Sequence, residues 1–155
     1  MKRRDVAPTP AIMAQLQLDP QRQLIGAQCS GTYLMAKLGL LGNLPACTDN
    51  TSKPWVQEAG VNVRNVPFIA NGNLATAGGC LSAHYLAAWV ITRLKSEAAA
   101  REALHNFAPV GEKDAYVERA MAHVLGKPGR AGIHARASLE RGHKCPRYAM
   151  EIQKP

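Results

Sequence analysis

The sequence lacks the marks of several large classes of protein. No run approaches the roughly 18 apolar residues that a membrane span needs. The basic start, "MKRRDVAPTPAIMAQ", has no apolar stretch of about 7–15 residues behind it, so it does not read as a secretory leader. The four cysteines, at 29, 47, 80 and 145, show no CxxC pair and no short zinc spacing. They fit a reduced, cytoplasmic protein better than a disulfide scaffold. No internal repeat and no second core are visible, so 155 residues with 46% hydrophobic content fit one domain with a buried core.

The net charge of +8 raises the question of nucleic acid, and its placement answers against it. Residues 1–5 carry three basic side chains against one acid, and residues 127–155 carry seven against two. The body between them, 6–126, holds nine basic and eight acidic residues and is nearly neutral. A nucleic-acid-binding domain concentrates its charge on a folded face. Here the excess lies at the ends, and neither nucleic acid nor membrane is expected as a partner.

Along the chain, residues 1–10 read as an irregular arm and 11–18 as a short helix stopped by Asp19-Pro20. "QLIGAQ" reads as a strand, and the spacing of Leu34, Met35, Leu38 and Leu41 predicts a helix over 32–41 ending at Gly39 and Gly42. "LPACT" is a strand candidate. "TSKPWVQEAG" is a helix with Ser52 as its cap and Pro54 in its first turn. The turn "ANGN" between β-prone runs predicts a hairpin. Residues 80–95 form the longest predicted helix, apolar around much of its girth, which calls for burial against a sheet or a partner. Two more helices follow, with Pro109 and Gly111 between them. After Gly126 the pattern ends in a basic tail, 127–155, read as disordered. Strands alternating with helices predict an α/β layered fold over 1–126.

Cys29 stands where a strand meets a helix, in the series Ala27-Gln28-Cys29-Ser30-Gly31. Small residues two before and two after let a sharp turn close and hold the thiol out over the sheet edge. This is the mechanical content of a nucleophile elbow. The N-terminus of the following helix favours an anion and predicts a lowered thiol pKa. The competing reading is a buried cysteine that packs as a small hydrophobe.

The flanking motifs favour the elbow. "CSGTYLMAKLGLLGNLPACTDNTSKPWVQEAGVNV", followed by "FIANGNLATAGGCLSAHYLAAWVITRL", resembles the ThiJ/PfpI family of the class I glutamine amidotransferase-like superfamily. The resemblance covers about residues 18–125. It rests on the elbow, the "LGLL" helix end, the short strand before "TD", the glycine turn with "ATAGG" and the long helix after it. It implies a flavodoxin-like three-layer sandwich, incomplete at the N-terminus, because relatives place further strands before the elbow and only 28 residues precede Cys29 here. It also implies a cysteine-dependent enzyme that adds to or hydrolyses at an electrophilic carbon, as a hydratase, glyoxalase-like or deglycase-like catalyst. Cys29 would be the nucleophile, with the Ser30 backbone N–H stabilising the developing anion. Asp49, where many members carry histidine, would orient a partner or water, although a carboxylate beside a thiolate raises the thiol pKa. A small electrophilic substrate and a homodimer are the implied partners, without cofactor or metal.

Other functions remain open at this point. Similar domains sense ligands in AraC-type regulators, an elbow thiol can serve as a redox sensor, and an inactive truncated homologue is the third reading. Cys47 and Cys80 read as core residues, His84 as a packing histidine, and Trp55 and Trp89 as core or dimer-contact residues. His143 and Cys145 are too few and too loosely held for a metal site. No His-x-Glu pair follows "ATAGG", so glutamine hydrolysis is not expected.

Overall fold

A computed structural model describes residues 10–126. The expectations for the arm before Pro10 and the tail after Gly126, with His143 and Cys145, lie outside the described residues. Within them the order is α1 (Pro10–Gln15), β1 (Ile25–Gln28), α2 (Gly31–Lys37), α3 (Lys53–Glu58), β2 (Phe68–Asn71), β3 (Leu74–Ala77), α4 (Ala83–Leu94), α5 (Glu97–Phe107) and α6 (Lys113–Val124). A 3₁₀ turn, Cys80–Ser82, leads into α4.

The strands form one mixed sheet in the order β1-β3-β2. β2 and β3 are the expected hairpin, antiparallel with Asn71 opposite Leu74. Gly72 takes φ 58° in the turn, a conformation that costs glycine little. β1 joins the other side of β3 in parallel, with Ile25 opposite Leu74 and Gln28 opposite Ala77. As the central strand, β3 is buried at all four positions.

Side-chain alternation along the strands splits the core into two layers. Ile25, Ala27 and Leu74 pack with Met35 of α2, Val56 of α3 and Leu41, Ala46 and Val61. Ala75, Ala77 and Phe68 face the other way, onto Tyr85, Ala88 and Trp89 of α4, Ala100 and Leu104 of α5, and Val117, Ala120 and Met121 of α6. Helices thus cover both faces of a small mixed sheet. Gly26 lies under α4, where a Cβ would come within 3.2 Å of a Leu86 methyl. The sheet together with α5 and α6 covers Tyr85, Leu86, Ala88, Trp89, Val90 and Ile91 of α4 and leaves Leu94 exposed. Arg101 of α5 reaches Glu97 of its own helix and Glu118 of α6, at 2.9 and 2.6 Å. Both pairs are partly exposed, so their contribution is small.

Two expectations change. "LPACT" joins no sheet strand and makes only an isolated parallel bridge, Ala46 to Val63. The reason is where its polar groups go. The Cys47 N–H donates to Thr76 Oγ1 at 3.0 Å, and its carbonyl accepts from Thr32 Oγ1 at 3.0 Å. Side chains satisfy backbone groups that a strand would have paired in a ladder. The helix expected over 32–41 stops at Lys37, ahead of Gly39 with φ 70°.

Gly78 is the tightest point of the fold. A Cβ there would lie 2.9 Å from the Thr48 carbonyl oxygen and 3.3 Å from that of Val66. Backbone atoms cannot swing aside as a side-chain tip can. Gly78→Ala is therefore expected to cost about 1–3 kcal/mol of unfolding free energy, read by urea denaturation. Gly26→Ala, which meets a flexible leucine end, is expected to cost less.

Candidate functional site

Cys29 has φ 51°, and no other non-glycine residue among those described has positive φ. The left-handed region crowds a Cβ against the following carbonyl, and side-chain-bearing residues persist there only when their surroundings over-determine them. The surroundings here do so on both sides of the residue. The Cys29 N–H donates to the Ala77 carbonyl at 3.0 Å, continuing the β1–β3 pairing by one residue. Its carbonyl accepts from the Thr48 hydroxyl at 2.7 Å and from the Thr32 N–H at 3.1 Å. The chain then enters α2 through Ser30, whose backbone is already helical at φ −61° and ψ −18°. Gly31 lies against Ala27 across the turn, where a Cβ would sit 3.4 Å from the Ala27 Cβ, an ordinary contact that leaves room for little more than a small side chain.

Three further segments surround the thiol. The first is the Gly79–Cys80 turn. Gln28 Nε2 donates to the Gly79 carbonyl at 3.0 Å and to the Cys80 carbonyl at 2.8 Å. Cys80 Sγ then lies 4.0 Å from Cys29 Sγ. Cys80 is therefore an exposed neighbour of the elbow thiol, not the core residue expected from sequence. Its position follows from β3 ending beside β1, a pairing that no local pattern announces.

The second segment carries Asp49. Its Oδ1 accepts from the Thr51 N–H at 2.9 Å and the Ser52 N–H at 3.0 Å, so it orders the turn that leads into α3. Ser52, the expected cap, occupies the N-cap position but makes no side-chain capping bond. Burial works against the Asp49 carboxylate, but the hydrogen bonds from Ser52 and Thr51 outweigh it and hold its pKa below the usual carboxylate value. Asp49 is thus an anion near Cys29.

The third is an open cleft of about 440 Å³, lined by Thr48, Asp49, Asn65, Val66, Gly78 and Gly79 among others. Asp49 and Gly79 connect it to the thiol, while Cys29 itself is not part of the lining.

These neighbours reverse the expected direction of the Cys29 pKa. Burial pushes the thiol up, the hydrogen bond and charge of Cys80 push it further, and the negative charge of Asp49 adds to both. The Gly79 backbone N–H acts in the opposite direction and is outweighed. α2 is only seven residues long, and the backbone group that favours the thiolate belongs to the other side of the site.

The remaining candidates are structural. Cys47 is fully buried, and its thiol donates to the Thr76 carbonyl at 3.0 Å. His84 Nδ1 lies 2.8 Å from the Leu81 carbonyl, and the ring packs 3.9 Å from Tyr85 and 5.0 Å from Tyr116, centroid to centroid. Burial lowers its pKa. Trp89 is buried, and Trp55 packs against Tyr33. No group of three or more metal-ligating side chains occurs among the described residues, and no helix there is long and apolar enough to cross a membrane. Thr48 and Gln28 are the positioning residues that sequence reasoning passed over; the available signal was a polar side chain at the end of each β-prone run, although only that of Gln28 ends a strand of the sheet.

Two outcomes test this geometry. Cys29→Gly is expected to be about 1 kcal/mol more stable than Cys29→Ala in chemical denaturation, since glycine alone relieves the left-handed backbone. Equal stabilities would show that the turn is unstrained. Alkylation of Cys29 by iodoacetamide is expected to have its pH midpoint above the free-cysteine value of about 8.5. Cys80→Ala should bring that midpoint down, and a midpoint unaffected by the substitution would contradict the neighbour effect.

No family model matches this sequence, and no curated protein matches it. Among solved structures, the chain is similar to a threonine-to-proline mutant of DJ-1 from Schizosaccharomyces pombe, at 17% identity and a TM-score of 0.38. The match covers 67% of this chain and 46% of that one, so the chain spans about half the length of the DJ-1 protein. DJ-1 is of the ThiJ/PfpI family, the family that the sequence motifs resemble, and the structural match to it is partial.

Proposed function

We propose that the chain is a ThiJ/PfpI-like, cysteine-dependent catalyst acting on a small electrophilic substrate, with Cys29 as the nucleophile. The observation that carries this reading is the left-handed backbone of Cys29 at a strand-to-helix turn. A residue placed there for packing alone gains nothing from the strain, whereas a nucleophile gains exposure at the end of the sheet. The adjoining cleft supplies room for a small molecule.

In this reading Cys29 Sγ adds to an electrophilic carbon, such as that of a dicarbonyl or an isocyanide. The Ser30 backbone N–H stabilises the anion that develops. Asp49 Oδ1 is engaged with two N–H groups, and Oδ2, with the Thr48 hydroxyl 3.5 Å away, is the oxygen that would orient water in the cleft. The thiol must lose its proton before it attacks, and its surroundings favour the protonated form. Turnover is therefore expected to rise with pH into the alkaline range. Asp49→Asn, by removing a nearby negative charge, is expected to move the profile to lower pH. A homodimer belongs to the same proposal and is supported by the exposed apolar side chains of Leu81, Leu94 and Phe107.

The test is turnover of methylglyoxal and of an aromatic isocyanide by the full chain and by Cys29→Ala and Cys29→Ser. Loss of turnover in both variants, with unchanged unfolding behaviour, supports the proposal. Turnover that survives Cys29→Ala would sink it. Absence of turnover in the unsubstituted protein would leave the sensing domain or the inactive homologue as the reading. The proximity of Cys80 favours redox sensing between those two.

A further inference from the structure

The two sulfurs at the elbow are a pair that the catalytic reading does not use. Cys29 and Cys80 approach to 4.0 Å between Sγ atoms, one half-buried and the other exposed. A disulfide needs about 2.05 Å between sulfurs, so about 2 Å of travel separates the dithiol from the bond. The approach is built into the backbone. Cys29 N–H is tied to Ala77 at the end of β3, and Gln28 holds the carbonyls of both Gly79 and Cys80. Three hydrogen bonds therefore clamp the segment carrying one cysteine against the segment carrying the other. Gly79, with φ 94°, turns the chain at that point and sets Cys80 at the start of a short 3₁₀ turn. Cys47 stands apart, fully buried with its thiol bonded to the Thr76 carbonyl.

We infer that Cys29 and Cys80 form a dithiol–disulfide couple in which Cys80 resolves a Cys29 oxidised by a peroxide. In the first step the Cys29 sulfur attacks one oxygen of hydrogen peroxide. An S–O bond forms, the O–O bond breaks, and the departing hydroxide takes the thiol proton as water. In the second step the Cys80 sulfur attacks Cys29 Sγ. The S–S bond forms, the S–O bond breaks, and the second hydroxide leaves as water with the Cys80 proton. The pair loses two electrons and two protons, and the peroxide becomes two waters. A small thiol returns the disulfide to the dithiol by two exchange steps and is itself oxidised to its disulfide. The couple stands on the sulfur geometry alone and does not require that Cys29 be a catalyst. If it is one, the disulfide occupies the nucleophile and halts turnover until reduction.

Gln28 is the positioning residue of this couple, acting through the backbone of the Cys80 turn. Residue 28 ends β1 opposite Ala77 and is only partly buried, so truncating its side chain opens no core cavity.

The experiment uses the full chain with Cys145→Ser, treated with hydrogen peroxide, quenched by alkylation and mapped by peptide mass spectrometry without reduction. The expected result is a Cys29 peptide joined to a Cys80 peptide, lighter by two hydrogens and separated by dithiothreitol, with Cys47 unmodified. With Cys80→Ala or Cys80→Ser added, Cys29 is expected to proceed to sulfinic and sulfonic acid that dithiothreitol does not reverse. Gln28→Ala is expected to form the disulfide more slowly at the same peroxide concentration. Sulfinic acid accumulating on Cys29 equally fast with and without Cys80 would overturn the couple, as would disulfides found only between molecules. These readouts are masses, so they fail or succeed independently of the methylglyoxal and isocyanide assays.

Discussion

The parallel pairing of β1 with β3 is the contact on which the rest of the site depends. It brings residues about 50 positions apart in sequence to adjacent ends of one sheet. The same ladder, extended by the Cys29 N–H to Ala77, holds the elbow in its left-handed backbone. Because β3 also pairs with β2, it is buried at every position and forms a fixed reference for both neighbours. Small residues let this happen. Gly26 admits α4 from one face, and Gly78 lets the end of β3 pass the Thr48 carbonyl. Each such residue is a close approach that a larger side chain would block.

The polar groups at the end of the sheet work as one assembly. Thr48 grips the Cys29 carbonyl, Thr32 and Thr76 satisfy the backbone of Cys47, and Gln28 secures the Gly79–Cys80 turn. Asp49 orders the turn into α3 and remains an anion. The cost of this arrangement falls on the thiol. A half-buried sulfur beside a second sulfur and a carboxylate is hard to ionise. Backbone strain and an elevated thiol pKa thus coexist at one residue, and they favour different uses. Strain presents the sulfur, while the surroundings keep its proton on at neutral pH.

Much of the fold was legible because the signals were local. The hairpin at Asn71-Gly72 follows from turn chemistry, and α3 follows from Pro54 in its first turn. α4 follows from the long apolar stretch of 80–95, and α5 and α6 from the helical segments on either side of Pro109 and Gly111. "LPACT" was misleading for an instructive reason. It has strand-like residues, but threonine side chains from two other segments take its hydrogen bonds. Asp49 is a similar case, since its sequence context suggested work beside the thiol while its geometry assigns it to the start of α3 as well.

By itself the sequence placed a cysteine between a strand and a helix with small residues on either side, a spacing that a sharp turn requires and that is visible without a fold; the left-handed backbone of Cys29 then set the elbow apart from a packing cysteine. It also announced the helices of 83–124, through the long apolar stretch of 80–95 and the break at Pro109 and Gly111 between the two helices that follow. Only the tertiary structure decided what faces the thiol. Cys80 and Asp49 reach Cys29 through strand pairing and loop packing across long sequence separations, and a charge or a sulfur shifts a pKa by distance in space. The direction of the thiol's ionisation and its partnership with a second cysteine therefore belong to the fold.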